Sequence, residues 1–253
     1  MKFGFALSGG GARGIAHLGM IKALEEINLR PSIISGTSAG ALIGAFYSYG
    51  YRPEEILQII IETKLFKILK PVFRNNGLVT LEKSFEYFLK FFPGDSFEAL
   101  KIPFYAAAVN LKSGKTSYFS EGELIRAILA SAAIPVIFNP VQIGNELYID
   151  GGILNNLPVD PLIGRCDRIV GFHCNPIDDQ YTQNNLRSLM ERIFILTTNA
   201  NVASHRQQCD YYFEPPELIK YRVFDFAKAR ELFEIGYKHV KLEVPGIREK
   251  IIS

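Results

Sequence analysis

Two glycine-rich turns near the start of the chain constrain its fold more than any other feature. Each follows a short apolar stretch and each opens a helix-periodic one. Lys2–Leu7 reads as a buried strand running into Gly9-Gly10-Gly11, after which Ile15, Leu18, Ile21 and Leu24 recur at helical spacing as far as Ile27, with Pro31 beyond. Ser32–Ser35 is a second short strand, followed by Gly36-Thr37-Ser38-Ala39-Gly40 and a small-residue-rich helix over Ser38–Tyr49. Parallel strands cannot be joined by a tight turn and are usually connected by a helix. The rhythm therefore predicts an α/β fold: a mostly parallel central sheet flanked by helices.

The remaining chain continues the pattern. Pro53 with Glu54 and Glu55 opens a helix, since proline suits a first turn and acids suit its positive end. A further helix is expected over Thr80–Phe91, a strand over Ile102–Asn110, a turn at Lys112–Lys115 and a strand over Thr116–Phe119. Glu121–Ala130 reads as helical. Val141–Ile143 and Leu147–Ile149 flank Gly144-Asn145, a hairpin turn. Arg168–His173 is a later strand, and Leu186–Ala203 and Asp225–His239 are helices. No linker, repeat or low-complexity segment interrupts 1–253, so a single domain is expected.

Composition narrows the function classes. With 48% hydrophobic and 21% charged residues the chain can build a core. The balance of 28 basic against 26 acidic residues, with no dense Lys/Arg block, argues against a nucleic-acid partner. Cys166, Cys174 and Cys209 are odd in number and form no C-x-x-C pair, which fits a reducing compartment and neither a disulfide framework nor a zinc site. The five-residue apolar stretch before Ser8 is short for a secretory leader, and no apolar run approaches a membrane span. The expectation is a cytoplasmic protein, peripheral to a membrane at most.

Three motifs carry chemistry. Gly36-Thr37-Ser38-Ala39-Gly40 sits between strand and helix, the context of a nucleophile elbow: the turn is so tight that the residues two before and two after the serine must be nearly free of side chain. Gly9-Gly10-Gly11-Ala12-Arg13-Gly14 lets the backbone turn sharply and aim N–H groups at one point, as an oxyanion requires. The same glycines match the dinucleotide fingerprint, but that reading needs an acid at the end of the second strand for the ribose. No acid lies between Asn28 and Gly40; the elbow occupies the place. Asp150-Gly151-Gly152 ends a hairpin strand, where two glycines permit an exposed turn that could hold the carboxylate near another loop, or an aspartate that merely caps the turn.

Together with Ala130-Ser131-Ala132-Ala133-Ile134-Pro135, these ordered motifs resemble the patatin-like phospholipases over residues 4–175. The resemblance implies an α/β sheet related in style to the α/β hydrolases, hydrolysis of lipid acyl esters without calcium, and a Ser-Asp dyad; no metal or other cofactor is expected. Carried over, Ser38 is the nucleophile and Asp150 its base; Gly9, Gly10 and Gly11 form the oxyanion hole, helped by the amide of Ala39. Arg13 holds the basic position of the glycine loop, and Gly14, Gly36, Gly40, Gly151 and Gly152 support the motifs. Ser8 stands where plant members often carry Asp. A transacylase on the same fold, a non-catalytic lipid binder and an oxidoreductase are the competing functions.

A carboxylate is a weaker base than imidazole, and serves if a dry site raises its pKa toward working pH. A triad remains the alternative, because Ser38, Asp150 and His173 follow the α/β-hydrolase order; its plain counterpart is a buried, hydrogen-bonded histidine. His17 is expected to pack beside the glycine loop. His205 and His239 show no metal spacing with each other or with the cysteines. Glu62–Phe73 alternates basic and bulky apolar residues, with Tyr87, Phe88, Phe91 and Phe92 following. It reads as a lid, as a face dipping into lipid, or as core beneath a solvated lysine row.

Overall fold

The computed structural model describes residues 1–63, 82–135, 137–182 and 185–252. The predicted strand at the start is β1 (Phe3–Leu7), buried along its whole length, as a strand covered on both faces must be. Its alternate side chains enter different layers: Phe5 and Leu7 join the main apolar cluster, and Ala6 joins a second cluster on the opposite face. β2 (Pro31–Thr37) is longer than the sequence suggests, running up to the serine itself. β3 (Phe104–Asn110), β4 (Lys115–Phe119), β5 (Val141–Ile143), β6 (Glu146–Asp150) and β7 (Arg168–Phe172) fall where expected. The short strand β8 (Tyr211–Phe213), with three residues, is too brief to leave a periodic signal.

The sheet is mixed. Hydrogen-bonded neighbours follow the order β5-β6-β3-β2-β1-β7-β8, with β4 also on β3. β3, β2, β1, β7 and β8 are parallel; β4 and β6 run antiparallel to β3, and β5 antiparallel to β6. The parallel expectation thus holds for the centre, and the hairpin strands add an antiparallel margin.

The helices are α1 (Ala16–Glu25), α2 (Ala39–Tyr49), α3 (Pro53–Thr63), α4 (Glu82–Phe88), α5 (Leu124–Ser131), α6 (Leu186–Ala200), α7 (Val202–Arg206) and α8 (Ala229–Ile252). α1, α2, α3, α5 and α8 contribute to the main apolar cluster, around Phe5, Phe46, Phe172 and Phe213. The opposite face is covered more thinly, by Leu157, Val159, Leu162 and Val202. α1 and α8 meet at backbone distance: a Cβ on Gly19 would lie 1.9 Å from the carbonyl oxygen of Phe233, and one on Gly236 would lie 2.0 Å from that of Ala16. α8 continues past His239 and through Pro245. The helix expected over Leu186–Ala203 instead breaks at Asn201, whose side chain is spent elsewhere. The Lys64–Phe73 part of the segment read as lid, lipid face or core, and the first residues of the helix expected from Thr80, lie outside the described residues.

Candidate active site

The two functional turns meet because of how the strands share β3. β4 pairs with Ala106–Asn110 along one edge of β3. A strand has two edges, so everything else that pairs with those residues uses the other. Thr37 of β2 pairs with Ala107 and Asp150 of β6 pairs with the next residue, Ala108. β2 and β6 therefore run head to head along one edge of β3, and the residues leaving their ends, Ser38 and Gly151, face each other. A Cβ on Gly151 would lie 3.2 Å from Cγ2 of Thr37 and 2.3 Å from the carbonyl oxygen of Ala107. That crowding is why glycine follows the aspartate.

Ser38 has φ 54° and ψ −119°, a left-handed conformation for a non-glycine residue, which costs on the order of 1–3 kcal/mol. The flanking glycines make the turn feasible. A Cβ on Gly36 would lie 2.4 Å from the oxygen of Gly40, and one on Gly40 would lie 2.2 Å from the oxygen of Leu7. The strained peptide is held from α5: the Ser38 N–H donates to Ser131 Oγ at 2.9 Å, and that hydroxyl donates to the carbonyl of Ala107 at 2.6 Å. Ser131 lies in the Ala-Ser-Ala-Ala-Ile-Pro motif, which the sequence singles out without revealing this task. Thr37 Oγ1 donates to the carbonyl of Asn155 at 2.9 Å and ties the elbow to the segment after Asp150.

Asp150 is wholly buried. Its Oδ1 accepts from the N–H of Gly152 at 2.8 Å, and its own N–H donates to the carbonyl of Ala133 at 3.0 Å. Burial pushes its carboxyl up to about 6, partly offset by the Ser38 hydroxyl and the Gly152 N–H, which hold it down. Oδ2 has no hydrogen-bond partner among the described residues. The serine hydroxyl thus faces the carboxylate without a short, straight bond, a looseness common in catalytic pairs that tighten around substrate.

The glycine loop is braced from three sides. The Gly9 N–H donates to the carbonyl of Asn156 at 3.3 Å, and the Gly9 carbonyl accepts from Asn175 Nδ2 at 2.7 Å and from Cys174 Sγ at 3.3 Å. The Ala12 N–H donates to the carbonyl of Val223 at 2.7 Å. Between these anchors Gly10 and Gly11 open a 3-10 turn over Gly11–Ile15, so their N–H groups have no acceptor within it. Gly11 has φ 57°, and a Cβ there would lie 2.3 Å from the carbonyl oxygen of Val223. Gly9, grouped with them from the sequence, has its N–H engaged, whereas the N–H groups of Gly10, Gly11 and Ala39, at the start of α2, have no acceptor within the elements they open. Gly14 packs against Ala39, whose Cβ lies 2.7 Å from where a Gly14 Cβ would be. Arg13 is buried and turned away, donating through Nε to the carbonyl of Tyr221 at 2.7 Å. It ties the loop to a segment beyond the stretch that carries the motifs.

His173 and His17 are each buried and bonded to the surrounding chain. His173 is buried with Nδ1 2.7 Å from Oε1 of Glu214, and no histidine is among the groups that shift Asp150. His17 donates through Nε2 to the carbonyl of Ser8 at 2.9 Å, and burial pushes it down to about 4, so it is neutral near pH 7. Two asparagines are absent from the motifs read above. Asn201, where the helix expected over Leu186–Ala203 breaks, accepts from the N–H of Asn156 at 2.7 Å and donates to the carbonyl of Gly152 at 3.2 Å. Asn155 donates to Tyr118 Oη at 2.7 Å and to Asp160 Oδ2 at 2.6 Å. Among the described residues no group of three or more His, Cys, Asp or Glu could hold a metal ion.

The family model of the patatin-like phospholipases matches residues 5–163. The chain belongs to the patatin-like phospholipase family. An uncharacterised NTE family protein of Mycobacterium tuberculosis is 35% identical over 161 residues, covering 63% of this chain and 45% of that protein. Lysophospholipase nte1 of Aspergillus niger is 26% identical, covering 94% of this chain and 18% of its own. The chain thus spans less than half the length of these curated relatives. Among solved structures, VipD from Legionella pneumophila superposes with TM-score 0.57 at 15% identity, covering 97% of this chain and 67% of that one. ExoU of Pseudomonas aeruginosa, in complex with SpcU, gives 0.53 at 15%, covering 97% and 52%. The patatin-like match ends close to where the sequence motifs end, and the structural likeness extends the fold through the C-terminal helices.

Proposed function

We propose that the protein is a serine lipid acyl hydrolase that cleaves fatty-acyl esters of phospholipids, lysophospholipids or glycerides through Ser38 and Asp150. One observation carries the reading. The strained serine of the elbow faces a buried carboxylate whose pKa, near 6, suits a general base at neutral pH. Family membership supplies the substrate class, and the similarity to Lysophospholipase nte1 supports an ester of a lipid.

In this mechanism Asp150 takes the proton of Ser38 Oγ as that oxygen bonds to the ester carbon, and the carbonyl π pair moves onto oxygen. The N–H groups of Gly10, Gly11 and Ala39 hold the resulting oxyanion, a contribution worth about 3–4 kcal/mol per donor in comparable enzymes. Collapse breaks the bond to the leaving alcohol, which takes the proton from Asp150 and leaves an acyl-serine. Water then repeats the sequence in reverse and frees the fatty acid. An acceptor alcohol in place of water would give a transacylase.

Lipid esters are met at a surface, and peripheral contact with a membrane is part of the proposal. No described helix is long and apolar enough to cross one. α6 supports such contact: among its described side chains the exposed ones are Leu186, Met190, Ile193, Leu196 and Ala200, all apolar, on the helix tied through Asn201 to the Asp150 turn. The three cysteines are free thiols, which fits a cytoplasmic setting.

The test is Ser38→Ala. Turnover of a p-nitrophenyl ester and of lysophospholipid should vanish with the melting temperature kept, and a fluorophosphonate probe should label Ser38 of the parent protein. Activity retained in the folded variant would overturn the assignment.

A further inference from the structure

Asn156 is the residue at the site that neither the motifs nor the mechanism has used. Its neighbour Asn155 spends its amide on Tyr118 and Asp160, away from the elbow. Asn156 lies deeper, with no exposed surface, yet neither Oδ1 nor Nδ2 has a hydrogen-bond partner among the described residues. Buried carboxamides almost always find partners, and an unpaired one needs a reason.

Its place is fixed from both sides. The Asn156 N–H donates to Asn201 Oδ1 at 2.7 Å, and its carbonyl accepts from the Gly9 N–H at 3.3 Å. Oδ1 lies 2.7 Å from the point a Gly9 Cβ would occupy, and Ser38 Cβ lies 2.9 Å from that same point. Oδ1 also lies 3.0 Å from the point a Gly152 Cβ would occupy, as does Asp150 Oδ1. The carboxamide therefore stands between the glycine loop and the Asp150 turn, beside both reacting side chains. Two glycines leave the room around it. Asp150 Oδ2, the oxygen not used by Gly152, is likewise unpartnered.

We propose that Asn156, together with Asp150, positions the water that attacks the acyl-enzyme. The inference rests on the Ser38–Asp150 reading and adds a residue to it. Water donating one hydrogen to Asp150 Oδ2 and the other to Asn156 Oδ1 has a lone pair left for the acyl carbon. As its oxygen bonds to that carbon, the first proton passes to Asp150 and the carbonyl pair moves to oxygen. Collapse breaks the carbon–Oγ bond, and Asp150 returns the proton to Ser38. Asn156 changes neither charge nor protonation; it fixes direction. An oriented nucleophile is worth on the order of a hundredfold in rate. The same device favours water over acceptor alcohols, and so hydrolysis over acyl transfer.

The experiment separates acylation from deacylation in Asn156→Ala, with Asn156→Leu as a variant that keeps the buried volume. A p-nitrophenyl ester is suitable because its phenolate leaves without a proton, so acylation reports only attack by Ser38. The burst rate constant and the rate of fluorophosphonate labelling should stay within about threefold of the parent. The steady-state rate should fall about a hundredfold, with the acyl-enzyme accumulating by intact mass. Added methanol should raise the ratio of methyl ester to free acid above that of the parent protein. Equal losses in burst and steady state, or no loss in either, would overturn the role of Asn156 while leaving Ser38 and Asp150 standing. Labelling of a residue other than Ser38 in the parent would instead overturn the reading beneath it.

Discussion

Replacing Asp150 by asparagine should abolish activity and make the protein more stable, by an amount that depends on pH in one direction only. The carboxyl is wholly buried and stands near 6, against 3.8 for the ordinary group. Below pH 4 the group is protonated in both folded and unfolded chains, and burial of the charge costs nothing. As pH rises from about 4 to 6 the unfolded chain ionises while the native one keeps its proton, so stability falls by up to about 1.4 kcal/mol per pH unit. Above pH 6 both states are ionised and the full penalty is present. A difference of about two units corresponds to about 3 kcal/mol. Asparagine keeps the Oδ1 that accepts from Gly152 at 2.8 Å and removes the charge, at the smaller cost of burying an amide N–H₂. At pH 8 the variant should melt several degrees above the parent, since 1 kcal/mol moves the midpoint by about 2–4 °C in a chain of this size. By pH 4.5 most of that gap should have closed. Thermal unfolding of both proteins across pH 4.5–8 decides it, and the kcat/KM profile of the parent should show one acid limb near 6. A gap that is constant with pH, or that widens toward acid, would mean that Asp150 is not held against its charge and is a poor candidate for the base.

Three further outcomes are expected. His173→Ala should leave kcat within tenfold of the parent while lowering stability by about 2 kcal/mol, because it removes the 2.7 Å bond to Glu214; a loss as deep as that of Ser38→Ala would restore the triad. Ser131→Ala should cut kcat by about tenfold or more with KM little changed, since the Ser38 N–H loses its acceptor and the elbow its anchor; unchanged kcat would refute that role. Leu186→Ser with Ile193→Ser should weaken sedimentation with lipid vesicles and slow vesicle hydrolysis more than hydrolysis of a soluble ester, each side chain being worth about 1.5–3 kcal/mol when fully inserted; equal losses on both substrates would place α6 outside the lipid contact.

Ser38, Asp150 and the glycine loop are legible in the sequence because each turn is so tight that its neighbours must lack side chains, and that leaves a fixed spacing of glycines. The parts that escape are those with no local period. Asn201 ends a helix that is apolar enough to continue, and it does so by bonding the Asn156 N–H and the Gly152 carbonyl, partners 45 and 49 residues away. Arg13 stands inside a motif, yet its partner is the carbonyl of Tyr221, 208 residues on. A serine that supports another serine through one N–H, as Ser131 does, looks in sequence like any small helix residue. Such contacts depend on tertiary placement, which strand and helix periodicity does not encode.

The meeting of Ser38 with Asp150 belongs to the same class, and it explains why a hairpin strand can complete the site. In the parallel centre of the sheet the chain leaves every strand at one end, so the loops after β1, β2 and β7 gather there: the glycine loop, the elbow, and His173 with Cys174. A residue that must point back at the elbow from within the sheet needs a strand of opposite direction on the same edge as β2. β3 provides it by being longer than its pairing with β2, which stops at Ala107; Ala108, Val109 and Asn110 then take up β6 antiparallel. The last residue of that pairing is Asp150. Its depth in the sheet buries the carboxylate and raises its pKa, and its register sets it one residue along β3 from the end of the elbow strand. A one-residue slip of β6 would turn the side chain to the other face of the sheet. The proposed base is therefore specified as much by the pairing of Ala108 as by the identity of residue 150.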